Sequence, residues 1–271
     1  MTSLLCGLAA ACCWASTNVL AARVVRGSDP NQFAFWLNLL GCAIAAPVGL
    51  AQLSSAHVSP DDVLWLALTG VGAAATGLLL TRALRHGQLG VVGPLMSLEG
   101  AIAAVLGIAF AAESVPGIEL GGIAVSIVGA VTVAFGATRR GHLAGSSYAL
   151  PAAACAGVAL WAFAQQPLAP LLALMIARFC GATALLPTLT KLRLPRGIGW
   201  LLGIAALDVL ANALFLLGAR AGSLSTTAVL AAQFGTLTAI GGVWHWKESL
   251  SMLQIAGLLV IAAGVTAIAA G

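Results

Sequence analysis

Long apolar runs alternate with short polar breaks along the whole chain. The spans read Ser3 to Ala22, Gln32 to Leu53, Val63 to Leu84, Leu89 to Ala112, Ile118 to Ala137, Ser147 to Gln165, Leu168 to Thr188, Ile198 to Leu217, Ser225 to Trp246 and Met252 to Ala270. A bilayer core takes about 20 apolar residues per helix, so the pattern predicts an all-α polytopic membrane protein with ten transmembrane helices. Barrel strands would instead alternate polar and apolar residues over about ten positions each. Turn-forming groups separate the spans: Asp29-Pro30-Asn31, Ser59-Pro60-Asp61-Asp62, Val115-Pro116-Gly117, Gly141 to Gly145 and Leu194-Pro195-Arg196-Gly197. Gln165-Gln166-Pro167 is a tighter break, so the sixth and seventh spans are the least clearly separated. No basic stretch precedes the first run, which predicts a retained helix and not a cleaved leader.

Composition agrees: 61% of the 271 residues are apolar and 7% charged, against roughly 25% charged in a soluble domain. The spans leave no room for a soluble domain. The net charge of +4 comes from basic residues set singly or in pairs at span ends, not in a patch. That distribution excludes a nucleic-acid partner and points to the lipid bilayer. Cys6, Cys12, Cys13, Cys42, Cys155 and Cys180 all lie inside apolar runs, where they read as small buried hydrophobes. Neither a metal site nor a cofactor is predicted.

The chain repeats itself. Shifted by 135 positions, Gly87, Gly100, Gly107, Gly122 and Gly129 fall on Gly222, Gly235, Gly242, Gly257 and Gly264, and Glu113-Ser114 falls on Glu248-Ser249. Earlier spans align at other offsets: Asn38, Gly41 and Pro47 match Arg178, Gly181 and Pro187, and Trp14-Ala15 matches Trp161-Ala162. The unit is five helices, divided here as residues 1–140 and 146–271. Five is odd, so the second copy enters the membrane from the opposite face. Inverted repeats of this kind are typical of secondary transporters, with a site near the midplane between the copies, and the glycines suit close helix packing.

With these features the sequence resembles the drug/metabolite transporter superfamily, EamA type. The ten spans, the Trp14-Ala15 and Trp161-Ala162 steps, and the turns Glu113-Ser114 and Glu248-Ser249 followed by Gly122 and Gly257 carry the likeness. It implies a ten-helix fold and efflux of a small-molecule substrate. The chain departs from the pattern with Ala112 and Trp246-Lys247 where a glycine often precedes the glutamate. Its first helix also lacks the acid of the small multidrug members, so their coupling residue has no counterpart here.

Arg23, Arg26, Arg82, Arg85, Arg139, Arg140, Lys191, Arg193, Arg196 and Lys247 border odd-numbered connections, whereas the even ones hold Arg220 with Asp61, Asp62, Glu113 and Glu119. The positive-inside rule then puts both termini outside the cell membrane; the resemblance implies both inside.

Three ionisable residues lie near span centres: Glu99, Arg178 and Asp208. An acid at a helix centre costs about 2.5 to 3.5 kcal/mol on insertion scales, so such groups pair or line water. The bland reading is a structural ion pair of Arg178 with one acid. One acid then still lacks a charged partner, and a desolvated, unpaired carboxylate is equipped to carry a proton. Proton coupling through Glu99, Asp208 or both is the resulting expectation. Pro94, about one turn before Glu99, removes a backbone hydrogen bond. Asn212 follows Asp208 by one helical turn and shares its face. Asn18, Asn38, Gln165 and Gln233 are further polar candidates, each also able to serve as interhelical glue. Trp14 and Trp161 could form flat walls; Trp65, Trp200, Trp244 and Trp246 suit the membrane interface.

An intramembrane enzyme is the rival class, but His57, His86, His142 and His245 lie at or near span ends, and no HExxH or paired-aspartate motif is present. A lipid-carrier flippase on the same fold would need a long lateral opening. A non-transporting subunit has no need of three mid-membrane charges. The sequence therefore predicts a secondary transporter, monomeric or homodimeric, that exports an amino acid or drug-like solute by alternating access. The mix of Arg178 with two acids suits a zwitterion.

Overall fold

The computed structural model describes residues 1–110, 116–138, 145–194 and 197–270. Glu113-Ser114, Arg139, Arg140, His142 and Arg196 lie outside the described residues, as does the side chain of Glu119. The helices are α1 (Thr2–Val25), α2 (Pro30–Leu53), α3 (Pro60–His86), α4 (Leu89–Met96), α5 (Leu98–Phe110), α6 (Gly117–Thr138), α7 (Ser146–Ala164), α8 (Pro170–Leu185), α9 (Ile198–Ala221), α10 (Leu224–Ala231), α11 (Phe234–Trp246) and α12 (Met252–Ala270). Among the described residues eight spans are long and apolar enough to cross a membrane, counting α4 with α5 and α10 with α11 as one each. The cores of α6 and α12 form two shorter apolar helices.

Local sequence explains the starts. Pro30 and Pro60 occupy first-turn positions, where a missing N–H costs nothing. Asp29 accepts from Asn31 N at 2.8 Å. Ser59 and Asp62 form a reciprocal capping box, with Asp62 N donating to Ser59 Oγ at 3.1 Å and Ser59 N to Asp62 Oδ2 at 2.9 Å. Gln165-Gln166-Pro167 does separate α7 from α8: the Gln166 carbonyl oxygen Oε1 accepts from Leu168 N at 2.7 Å and holds the turn.

The fourth and ninth spans correct the reading of unbroken helices. Each breaks, at Ser97 and at Ala232-Gln233, positions that match in the 135-residue shift. Tight bonds close both breaks, Gly100 N to Ser97 O at 3.2 Å and Gly235 N to Ala232 O at 3.1 Å. The cause is packing: a Cβ on Gly100 would collide with Ala232 Cβ and lie 2.5 Å from Ala228 O, while one on Gly235 would collide with Ser97 Oγ and lie 2.5 Å from Gly93 O. The two broken spans cross each other there, backbone nearly on backbone.

Neighbour relations follow the repeat. α1 packs on α9 as α7 packs on α3; α4 meets α11 as α10 meets α5; α2 pairs with α8 and α6 with α12. Large apolar side chains such as Phe110, Val128, Leu202 and Leu259 face outward, as a lipid-facing surface requires. The cysteines are less buried than expected: Cys12 is exposed, the others are intermediate and all are unpaired. A small thiol is at ease against lipid, so burial in protein is not needed.

Most of the described basic residues gather at one end of the bundle. Gln32 Nε2 donates to Lys191 O, Arg193 N donates to Gln32 Oε1 at 3.2 Å, Trp36 Nε1 donates to Arg193 O at 2.8 Å, and Arg82 Nη2 donates to Asn31 Oδ1 at 3.4 Å. The Arg26 guanidinium lies 4.1 Å from the Trp246 ring centroid. At the opposite end Ser3 Oγ donates to Gly218 O and Arg220 Nη2 to Gln166 O.

Candidate functional site

A cavity lies at the centre of the bundle, between the halves. Its volume is ≈ 120 Å³, roughly ten times what one water needs. α1 gives it Trp14, Thr17 and Asn18; α3 gives Thr69, Ala73 and Thr76; α5 gives Glu99; α8 gives Arg178; α9 gives Asp208 and Asn212; and α11 gives Phe234. Leu37, Leu80, Met96, Leu160 and Phe163 supply apolar wall.

The break in the fourth span sets Glu99 in the first turn of α5, aimed into the cavity. The residue is 6% exposed, and among the described residues its carboxylate meets no hydrogen-bond or ion-pair partner. Arg178 behaves otherwise. Its Nη2 forms an ion pair with Asp208 Oδ2, its Nη1 donates to Asn38 Oδ1 at 3.3 Å, and its Nε meets no acceptor. Asn38 is held in turn by Nδ2 donating to Ala34 O at 2.9 Å. Asn212 Nδ2 donates to Asp208 O at 2.8 Å and to Asp208 Oδ1 at 3.3 Å, so the shared face read from their spacing is real. Burying two charges is offset by attraction only when the remaining polar valences are met; here Asn38 meets one on Arg178 and Asn212 one on Asp208, and the guanidinium Nε is left over.

Six of the ten candidates line this cavity: Trp14, Asn18, Glu99, Arg178, Asp208 and Asn212. Asn38 stands behind Arg178, fully buried. Trp161, Gln165 and Gln233 lie elsewhere. Trp161 packs edge-on to Trp65 at 5.4 Å and near Phe110, because α7 turns that face toward α3 and α5. Gln165 Nε2 donates to Trp161 O, and Gln233 Nε2 donates to Val229 O across the break between α10 and α11. Sequence reasoning missed Thr17, Thr69, Thr76 and Phe234. Phe234 did carry a signal, as the position matching Glu99 in the repeat; the threonines are ordinary in apolar helices and carried none.

Residues 1–135 match the model of the EamA-like transporter family. No curated protein is significantly similar. A solved structure, described simply as a crystal structure of a protein, superposes with a TM-score of 0.71 over 99% of this chain and 98% of its own, at 20% identity. At that identity the likeness concerns the fold.

Proposed function

From the membership of this chain in the EamA-like transporter family, within the drug/metabolite transporter superfamily, we propose that it moves a small organic solute outward by alternating access, coupled to protons through Glu99. The chain is a membrane transporter of many spans; solute, direction and coupling are the proposal. Two five-helix repeats, 1–140 and 146–271, would rock against each other about the crossing of α4–α5 with α10–α11. The basic end would face the cytoplasm, leaving both termini outside.

One observation carries the coupling: Glu99 is buried at mid-span, opens on the cavity and has no partner among the described residues, whereas Asp208 is bound to Arg178. A carboxylate already neutralised by a guanidinium has little reason to take a proton, while one without a partner can discharge itself by protonation. Glu99 is therefore the coupling residue of the two acids. A cavity fed by both halves supports alternating access, since moving one half changes the lining.

Uptake by inside-out vesicles under an imposed pH gradient tests this. Glu99→Gln should abolish the pH-driven component and leave gradient-free exchange of solute. Unchanged pH-driven uptake in that variant would exclude Glu99 as coupler.

A further inference from the structure

We propose that the central cavity takes an organic ammonium ion, an amine with at least one N–H carried on an apolar or aromatic body, and discriminates against solutes that bear a carboxylate. The inference rests on the cavity being the substrate site proposed above. It departs from the zwitterion that Arg178 and two acids suggest at the level of sequence.

Charge comes first. Arg178 gives Nη2 to Asp208 and Nη1 to Asn38 and keeps Nε unpartnered, while Asp208 is bound by Arg178 and Asn212, so the formal charges of this cluster cancel. When ionised, Glu99 is then the one formal charge of the cavity lining without compensation among the described residues. A carboxylate entering the cavity would be repelled by it and would find the guanidinium charge already paired with Asp208, while a cation would supply the missing partner in a poorly screened setting.

Hydrogen-bond valence gives the same answer independently. Thr17 Oγ1 donates to Cys13 O at 3.0 Å, Thr69 Oγ1 to Trp65 O at 2.8 Å and Thr76 Oγ1 to Ala152 O at 3.4 Å. Asn18 Nδ2 donates to Thr238 Oγ1 at 3.4 Å and Asn212 Nδ2 to Asp208. The hydroxyl protons and one amide donor of each asparagine are engaged in the protein's own bonds. What these side chains turn to a ligand is chiefly acceptor capacity, on hydroxyl and amide oxygens. Such acceptors are satisfied by N–H donors, whereas a carboxylate finds among these threonines and asparagines few donors to spare. Trp14, Phe163 and Phe234 complete the wall; aromatic faces attract cations and accommodate a flat body.

Equilibrium binding to the purified full-length protein, read calorimetrically at one pH, separates the cases with one aryl body and three head groups: phenethylamine, phenylalanine and 3-phenylpropionate. The amine should bind at least about tenfold more tightly than the other two, and Glu99→Gln should lower its affinity by at least about tenfold and erase the preference. Thr17→Val, which keeps the shape and removes one acceptor, should weaken the amine several-fold and leave 3-phenylpropionate unaffected; it serves if Glu99→Gln folds poorly. Phenylalanine or 3-phenylpropionate binding as well as the amine would overturn the proposal, and so would an arylalkylamine series that fails to bind altogether. Amine binding without vesicle transport would sink the transport reading alone. Vesicle transport of other solutes by a protein indifferent to amines would sink the substrate class alone.

Discussion

The spans formed by α4–α5 and α10–α11 break at matching positions, Ser97 and Ala232, and cross so that Glu99 and Phe234, one residue from each, reach the same cavity. Their backbones do the same work; their side chains do not. The contrast extends outward: Asp208 lines the cavity together with its repeat partner Ala73, and Arg178 is hydrogen-bonded to its repeat partner Asn38. A symmetric pair of acids would face each other across ≈ 120 Å³ and repel, and a symmetric pair of phenylalanines would leave no ionisable group at that position. Duplication supplies a scaffold on which one copy is free to carry charge while the other supplies neutral walls.

The sharpest way to break this comparison is to remove the charged member of a matched pair. Arg178→Leu strands Asp208 in a buried site, and losing one partner of a buried ion pair costs about 3 to 5 kcal/mol. Thermal unfolding in detergent should show that loss, with most of it recovered in Arg178→Leu/Asp208→Leu, where no charge is stranded. A double variant as unstable as the single one would mean that Arg178 holds more than Asp208.

Next comes the scaffold, where the two halves should respond alike but not equally. Both new methyls press on a carbonyl oxygen, that of Ala228 for Gly100→Ala and that of Gly93 for Gly235→Ala; the former also meets the rigid Cβ of Ala232, whereas the latter meets the Ser97 hydroxyl, which is able to rotate away. Overpacking costs typically about 1 to 3 kcal/mol. Both substitutions should destabilise, Gly100→Ala the more; the reverse order in melting temperature would show that the Ser97 rotor is fixed.

Much of this design can be read from the chain. Run lengths give the spans, spaced glycines give the repeat, and the mid-span positions of Glu99, Arg178 and Asp208 mark the centre. The breaks at Ser97 and Ala232-Gln233 could not be read, because no local residue dictates them: Pro94 lies in α4 ahead of the first break, and Val229, its partner in the repeat, gives no such cue. They arise where two backbones cross, a contact far apart in sequence. Which acid Arg178 chooses was equally hidden, since it depends on how α8 is rotated against α9. Trp161 shows the opposite failure: its repeat partner Trp14 lines the cavity, yet Trp161 does not, as similarity of sequence does not fix which face a helix presents.

The smallest effect separates the two halves at their helix starts. α4 begins at Gln88, whose side chain makes no capping bond, and Glu248 from the other half takes that place, accepting from Leu89 N at 3.0 Å and Gly90 N at 2.7 Å. Lys247, at φ 53°, adopts a left-handed turn that aims the carboxylate there. α10 instead has a local cap, Ser223 Oγ accepting from Thr226 N at 3.2 Å. Loss of a cap costs about 1 kcal/mol, and a carboxylate at a helix N-terminus adds the dipole interaction. Glu248→Ala should therefore destabilise somewhat more than Ser223→Ala. Because its cap spans the two halves, Glu248→Ala should also speed amide exchange at Leu89 and Gly90, whereas Ser223→Ala should leave those amides protected; equal exchange in both variants would show that the contact across the halves contributes nothing to holding α4.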